Sequence, residues 1–357
     1  MARYEFPTTA ELLEMGEPRE NAVTVYLPAT AGDFELARTT VKSSMDEVIR
    51  TLRDRGASHG LQEAFAARTA EILADECWHK LSRSLAIFTT DETAEVFVLP
   101  NNLEHQIQVS RYFDLGQFLR AVATPQDAYA LSLSGKEWNL WRASGTTRAH
   151  EIAVDHEGHN SVTHREEANA DILDVYAKDI AGIVERELNN EDPTGLQPLF
   201  LFATDPLEGI FRKIGVGPRT IVRVPGGSDD LTVDGVDGAI RAGLEEINAQ
   251  RAGETVDTLA DGISKGLVAT DLVDIARAAV GGAVDTLVYD FTIDILGRLD
   301  SATGAVEYFD DRYDLLSRIA VTVLANGGAV IPVRAADIDS DIWNGTAVAR
   351  LRFPLSQ

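Results

Sequence analysis

The sequence predicts an α/β fold made of three α/β domains, at 1–125, 126–228 and 229–357. Three observations predict it. The chain closes on strand, helix, strand, strand: Asp285-Thr-Leu-Val-Tyr-Asp290, then Asp311 to Asn326, then Gly327-Gly-Ala-Val-Ile-Pro-Val333, then Thr346-Ala-Val-Ala-Arg-Leu-Arg-Phe353. Leu199-Phe-Leu-Phe-Ala203 is a continuous apolar run, the pattern of a strand covered on both faces. Helical and strand periods alternate along the whole chain, which is the signature of layered α/β architecture.

The elements follow in order. Asn21-Ala-Val-Thr-Val-Tyr-Leu-Pro28 is β-rich and stops at proline. From Phe34 to Arg55, Leu36, Val41, Met45, Val48, Ile49 and Leu52 recur at helical spacing, and Gly56 ends the run. A second helix is predicted from Leu61 to Cys77. Ser84–Phe88 and Ala94–Leu99 are two strands joined by an Asp-Glu turn, and Tyr112 to Val122 closes the first segment as loop and helix. Ala128–Ser134 and Glu137–Arg142 form a hairpin around Gly135-Lys136. A polar stretch, 146–167, precedes a helix from Asp171 to Leu188, marked by Ile172, Val175, Tyr176, Ile180 and Ile183. After the 199–203 strand come a short helix, Asp205 to Ile214, and a strand, Thr220–Val224. Pro225-Gly-Gly-Ser-Asp-Asp230 reads as a linker. Ile240, Leu244 and Ile247 mark a further helix. Another starts at Thr270-Asp271, whose side chains suit an N-cap, and stops at Gly281-Gly282.

The totals narrow the functional classes. A chain of 357 residues favours two or three cores over one. No apolar run is long enough for a membrane span, and no apolar signal region is expected at the N-terminus. One cysteine, Cys77, excludes an internal disulfide and a cysteine-based zinc site, and a reducing cytoplasm is the expected setting. The net charge is -25, with only six of 32 basic residues being lysine. The acid excess falls in all three segments and not in a tail. Such a charge repels a nucleic-acid backbone, so neither DNA nor tight unaided RNA binding is expected. Docking through a local patch or a ribosomal protein stays compatible with it.

The closing strand–helix–strand–strand order resembles the third domain of the archaeal and eukaryotic class-1 peptide-chain release factors, and more closely that of their bacterial relatives. Further matching stretches are Val23–Pro28, Cys77-Trp78, Leu85–Phe88, Val98-Leu-Pro100 and Ala325–Val330. They are core and turn patterns and not catalytic signatures. The resemblance spans the chain from end to end. It implies an N-terminal α/β domain, a ribonuclease-H-like middle domain and a last domain like the ribosomal protein that binds kink-turn RNA. It also implies the ribosome or a ribosomal protein as partner, with tRNA as a further contact. Release factors carry Gly-Gly-Gln in a middle-domain loop, which corresponds to 146–167 here. The nearest tripeptide is Gly158-His159-Asn160, with one glycine missing and an amide one methylene shorter. By this analogy Gly158, His159 and Asn160 are the catalytic candidates for peptidyl-tRNA hydrolysis. The stop-codon reading segments are absent, so decoding of stop codons is not expected.

Other candidates come from the residues alone. His150, His156, His159 and His164 are interleaved with Glu151, Asp155, Glu157, Glu166 and Glu167, the side chains of a metal site or an acid–base pair. His156-Glu-Gly-His159 is one residue short of the zinc-protease spacing. A solvated polar loop accounts better for the cluster, ahead of a tRNA- or ribosome-facing loop and of metal or acid–base chemistry, so His156, His159 and His164 are ligands only if a metal binds at all, and no cofactor is expected. Gly135-Lys136-Glu137 and Gly215-Val-Gly217-Pro218 fail as phosphate motifs and read as turns. Trp138 and Trp141 suit core packing better than base stacking, and Cys77 reads as buried. Arg212, Lys213, Arg219 and Arg223 form the densest basic run and are the RNA or ribosome contact candidates. Arg50, Arg53 and Arg55 cluster at a helix end, and Arg350 and Arg352 share one face of the last strand.

Overall fold

The structure is a computed structural model that describes residues 2–154, 170–227, 231–309 and 314–354. The chain divides into two compact units, residues 1–125 with 246–357, and residues 126–245.

The first unit begins with strand β1, Ala2–Arg3, and helix α1, Thr9–Met15. Thr8 and Glu11 form a reciprocal capping box that satisfies the first N–H groups of α1. Strand β2, Ala22–Pro28, is followed by helices α2, Phe34–Asp54, and α3, His59–Ala74. Strands β3, Ser84–Thr89, β4, Ala94–Leu99, and β5, Gln106–Ser110, complete a sheet of order β1-β4-β3-β2-β5, antiparallel except for β1 on β4. Helix α4, Gly116–Ala123, ends this part.

Both faces of this sheet are covered, which is why β2 and β3 are buried at nearly every position. Side chains alternate faces along a strand. Val23, Val25, Leu27, Leu85, Ile87, Val96 and Val98 therefore join one core with the buried stripe of α2 and α3. Tyr26, Ala86, Phe88, Phe97 and Leu99 join another on the opposite side. On α2 the inward stripe is Ala37, Val41, Met45, Val48 and Leu52. Leu36, expected on that stripe, is 67% exposed, because Ala37 takes the inward register.

The second unit holds strands β6, Ala128–Leu133, β7, Trp138–Ala143, and β8, His150–Ile152, then helix α5, Ala170–Glu191. Strand β9, Leu199–Ala203, helix α6, Leu207–Ile214, and strand β10, Ile221–Val224, follow. The sheet order is β10-β9-β6-β7-β8; β6, β9 and β10 run parallel, and β7 and β8 complete an antiparallel meander. Tyr129, Leu131, Leu133, Leu199 and Leu201 face Tyr176, Ile180, Val184 and Phe211 from α5 and α6. Val175, placed on that stripe by its spacing, is instead 59% exposed.

Helix α7, Val233–Leu259, contains the boundary between the units. Within the second unit Gly243 lies against Phe200 of β9. A Cβ there would stand 2.3 Å from Phe200 Cε1, and Phe200 is fully buried. Gly243→Ala gains about 1 kcal/mol of helix propensity but forces helix and ring apart. The expected net result is a loss of about 1–3 kcal/mol of stability, read by urea denaturation. An unchanged or raised midpoint would show that the ring yields freely.

The chain returns to the first unit with strand β11, Val268–Ala269, helix α8, Leu272–Val280, and strand β12, Val284–Asp290. Asp271 caps α8 through Val273 N–H and Asp274 N–H, as its place in the sequence predicts. The short pair β13, Arg298–Leu299, and β14, Val306–Glu307, precedes helix α9, Leu315–Ala325. Strands β15, Ala329–Val333, and β16, Ala347–Leu351, complete a sheet of order β11-β16-β12-β15. β15 pairs parallel with β12 after the α9 crossover, and β16 pairs antiparallel. Gly327 has φ 71°, and a Cβ on Gly328 would stand 2.8 Å from the Val284 carbonyl, so the Gly-Gly stop is dictated by backbone geometry.

Residues from both chain segments of the first unit share one core. Leu12 and Met15 of α1, Phe118 and Leu119 of α4, Ile275 of α8, Tyr289 of β12 and Ile319 of α9 all belong to it. Arg318 of α9 donates to the carbonyl of Gly16, the C-cap of α1, at 2.7 Å. No helix among the described residues is long and apolar enough to cross a membrane.

Candidate functional site

The loop tip comes first. Gly158, His159 and Asn160, with His156 and His164, lie outside the described residues. His150 is on β8, exposed. Among the described residues no group of three or more His, Cys, Asp or Glu side chains is placed to hold a metal ion.

The basic run 212–223 does not act as one patch. Arg219 is turned inward with a fully buried side chain. Its guanidinium pairs with Asp192 and donates to the Leu188 carbonyl at 3.0 Å and to the Asp192 carbonyl. It has no surface to offer a phosphate, so its role is to join the end of α5 to the approach to β10. Burial pushes the Asp192 carboxyl up, but hydrogen bonds from Thr194, Gln197 N–H and Arg219 outweigh burial and lower it to about 2. Arg212 and Arg223 converge on the buried Glu208 carboxylate at 3.2 and 3.0 Å, while their outer atoms remain half-exposed. Lys213 is exposed beside them.

The remaining candidates serve the fold. Trp138 and Trp141 are both buried, in line with core packing. Cys77 is fully buried, and burial above all pushes its thiol up to about 12, which keeps it protonated and unreactive. Arg55 donates to the Val109 carbonyl at 2.8 Å. Arg350 pairs with Asp285, and Arg352 donates to the Gly282, Asn326 and Gly327 carbonyls beyond α8 and α9.

The described residues of the first unit enclose a polar cavity of about 420 Å³ that sequence reasoning missed. Asp114 lies just before α4 and lines it, with Gln117 and Arg120 further along that helix. Tyr289 comes from β12, Asp294 from the loop after it, Asp314 from the cap of α9 and Arg334 from the turn after β15. A smaller chamber of about 250 Å³ shares Gln106, Asp114, Asp294 and Asp314.

Hydrogen bonds fix the acidic end. Glu104 N–H donates to Gln117 Oε1 at 2.8 Å, Gln117 Nε2 to Gln106 Oε1 at 2.8 Å, and Gln106 Nε2 to Asp114 Oδ2 at 2.7 Å. Gly116 N–H donates to Asp114 Oδ1 at 2.9 Å. Asp114 is 8% exposed, and burial, helped by the charges of Asp314 and Asp294, raises its carboxyl to about 7 despite these donors. Asp114 can therefore exchange a proton near neutral pH. Asp314 caps α9 through Leu316 and Ser317, and burial raises its carboxyl as well. Tyr289 is 1% exposed, and its hydroxyl has no hydrogen-bond partner among the described residues. Burial first, then the Asp314 and Asp114 charges, raise its phenol. At the other end Arg120 and Arg334 stack on the Phe291 ring at 4.4 and 5.2 Å. No motif announces this site. Asp114 sits in an unremarked loop, and Tyr289 reads in sequence as an ordinary strand residue.

The fold and these side chains define a mixed α/β protein with a charged cavity in one unit. No family model matches the chain, and no curated protein matches it. Similar solved structures include ribosome-bound archaeal Pelota with ABCE1, at 10% identity over 98% of this chain and 95% of that one, with a TM-score of 0.41. Dom34 of S. cerevisiae, described as a translation termination-like factor involved in RNA quality control and interacting with Hbs1, is 12% identical over 80% and 78%, at 0.36. The archaeal translation termination factor aRF1 is 13% identical over 97% and 99%, at 0.25.

Proposed function

We propose that this chain is a release-factor-like protein that acts on or near the ribosome in the cytoplasm. In this reading it has three domains, at 1–125, 126–228 and 229–357, the middle one ribonuclease-H-like and the last like the kink-turn-binding ribosomal protein. The observation that carries the reading is the chain's closing pattern. The residues on which the sequence resemblance rests fold as strands β12, β15 and β16 of one sheet, with helix α9 between β12 and β15 and the Gly-Gly stop in place. The mixed sheet of the second unit, a meander followed by parallel strands, supports the middle-domain assignment. The role is rescue or quality control by peptidyl-tRNA hydrolysis, with Gly158, His159 and Asn160 as the working tip.

A non-catalytic adaptor is the second reading. It keeps the fold and binds a translation-related or other protein. The missing Gly-Gly-Gln, the net charge of -25 and the inward-turned Arg219 favour it.

Sedimentation through sucrose with ribosomes tests the shared part. Co-migration that survives moderate salt is expected, since a specific site depends less on counterion release than a loose contact does. Absence from the ribosomal fractions at both low and moderate salt would overturn the reading. Peptidyl-tRNA cleavage that disappears on replacing Gly158, His159 and Asn160 together supports catalysis. Binding without turnover selects the adaptor.

A further inference from the structure

We infer that the cavity of the first unit binds a small extended zwitterion, with its ammonium against Asp114 and Tyr289 and its carboxylate at Arg334 and Arg120. Three observations carry this. The first is the hydroxyl of Tyr289, which has no hydrogen-bond partner among the described residues; Tyr289 is 1% exposed and lines the cavity. A buried hydroxyl without a partner is costly, and a ligand with N–H donors would satisfy its oxygen. The second is the charge of the lining. Asp114, Asp294 and Asp314 meet no cation within ion-pair distance among the described residues, and the Asp114 carboxylate accepts only from neutral donors. An ammonium group supplies the missing charge.

The third is the separation of the two ends. Gly116, which binds the Asp114 carboxylate, and Arg120 are one helical turn apart, about 6 Å along α4. Tyr289 lies near the end of β12 and Phe291 is the first residue beyond it, so the two are at most about 7 Å apart along the chain. Phe291 N–H donates to the Val333 carbonyl at 3.1 Å, which sets Arg334 beside the ring at the same level. The helix and the chain after β12 thus give comparable backbone spans, about 6–7 Å, between the acidic and basic ends. An α-amino acid is too short to bridge it through its own ammonium and carboxylate. An ω-amino acid or a dipeptide has the right reach, and its methylene or peptide stem would lie along Phe291.

Titration calorimetry on the full chain with 5-aminopentanoate tests this. Saturable binding is expected, with pentylamine and pentanoate each at least about tenfold weaker, because each lacks one charged contact. Tyr289→Phe and Arg334→Gln should each weaken binding by about tenfold. Arg334 is exposed, so its variant keeps the fold and isolates the carboxylate contact. Thermal melts confirm the folding of both. The inference is overturned if none of the three compounds binds, if pentylamine binds as well as the zwitterion, or if folded Arg334→Gln binds unchanged.

Discussion

Arg219→Met is expected to cost about 3–5 kcal/mol of stability, measured by guanidinium denaturation at neutral pH. The substitution keeps only the apolar stem of the side chain and leaves Asp192 buried without its cation; the carbonyls of Leu188 and Asp192 lose the guanidinium donor but each still accepts a backbone N–H. A loss this size is that of an unpaired buried charge, not that of a surface salt bridge. A second change, Asp192→Leu, should restore part of it, because two apolar side chains fill the site without an orphaned charge. Full recovery is not expected, since Gln197 N–H loses its acceptor. The folded Asp192 carboxyl sits at about 2 against an ordinary 3.8. Its contribution is therefore complete above pH 3.8 and disappears as pH falls through 2. Arg219→Met should move the acid-unfolding limb to higher pH. A loss under about 1 kcal/mol would show that the pair does not order this junction. Folded Arg219→Met should also sediment with ribosomes as the parent does, whereas replacing Arg212, Lys213 and Arg223 together addresses the surface contact.

The elements were legible in the sequence wherever periodicity and stop signals agreed. The 199–203 strand, the hairpin around Gly135-Lys136, the Asp271 cap and the Gly327-Gly328 stop all emerge from local patterns that tertiary packing leaves in place. What escaped is equally physical. β5, Gln106–Ser110, is only five residues long, with two apolar residues, Ile107 and Val109, among polar ones, and it sits at a sheet edge. Helical spacing placed Leu36 and Val175 on inward stripes, but a neighbouring residue won the register in each case. The basic run 212–223 looked uniform because sequence spacing does not say which arginine turns inward. Arg219 follows the turn at Val216–Pro218 and is captured by the end of α5, a partner 27 residues away. The cavity could not be read at all. Its acids come from the approach to α4, the loop after β12 and the cap of α9, and only the folded chain brings them together.

The parent protein should lose about 4 kcal/mol of stability between pH 4 and pH 8 through Asp114 alone, and Asp114→Asn should remove that loss. Folded Asp114 holds its proton up to about pH 7, while the unfolded carboxyl releases it near 3.8. Between those values the native state binds more protons, so stability is complete below 3.8 and falls as pH rises through 7. Asparagine keeps the acceptor for Gly116 N–H but meets Gln106 with an amide N–H. The Gln106 and Gln117 amides must then turn over, at about 1 kcal/mol independent of pH. The test is therefore the slope and not the absolute stability. Urea midpoints at pH 4, 6 and 8 should decline less in Asp114→Asn than in the parent. Asp314, also raised by burial, leaves a residual slope in the variant. Parallel profiles would mean that Asp114 is not the group that titrates. The same slope reports on the cavity. An ammonium group beside Asp114 favours its ionised form, so 5-aminopentanoate should stabilise the parent most at pH 8 and flatten the profile toward that of the variant.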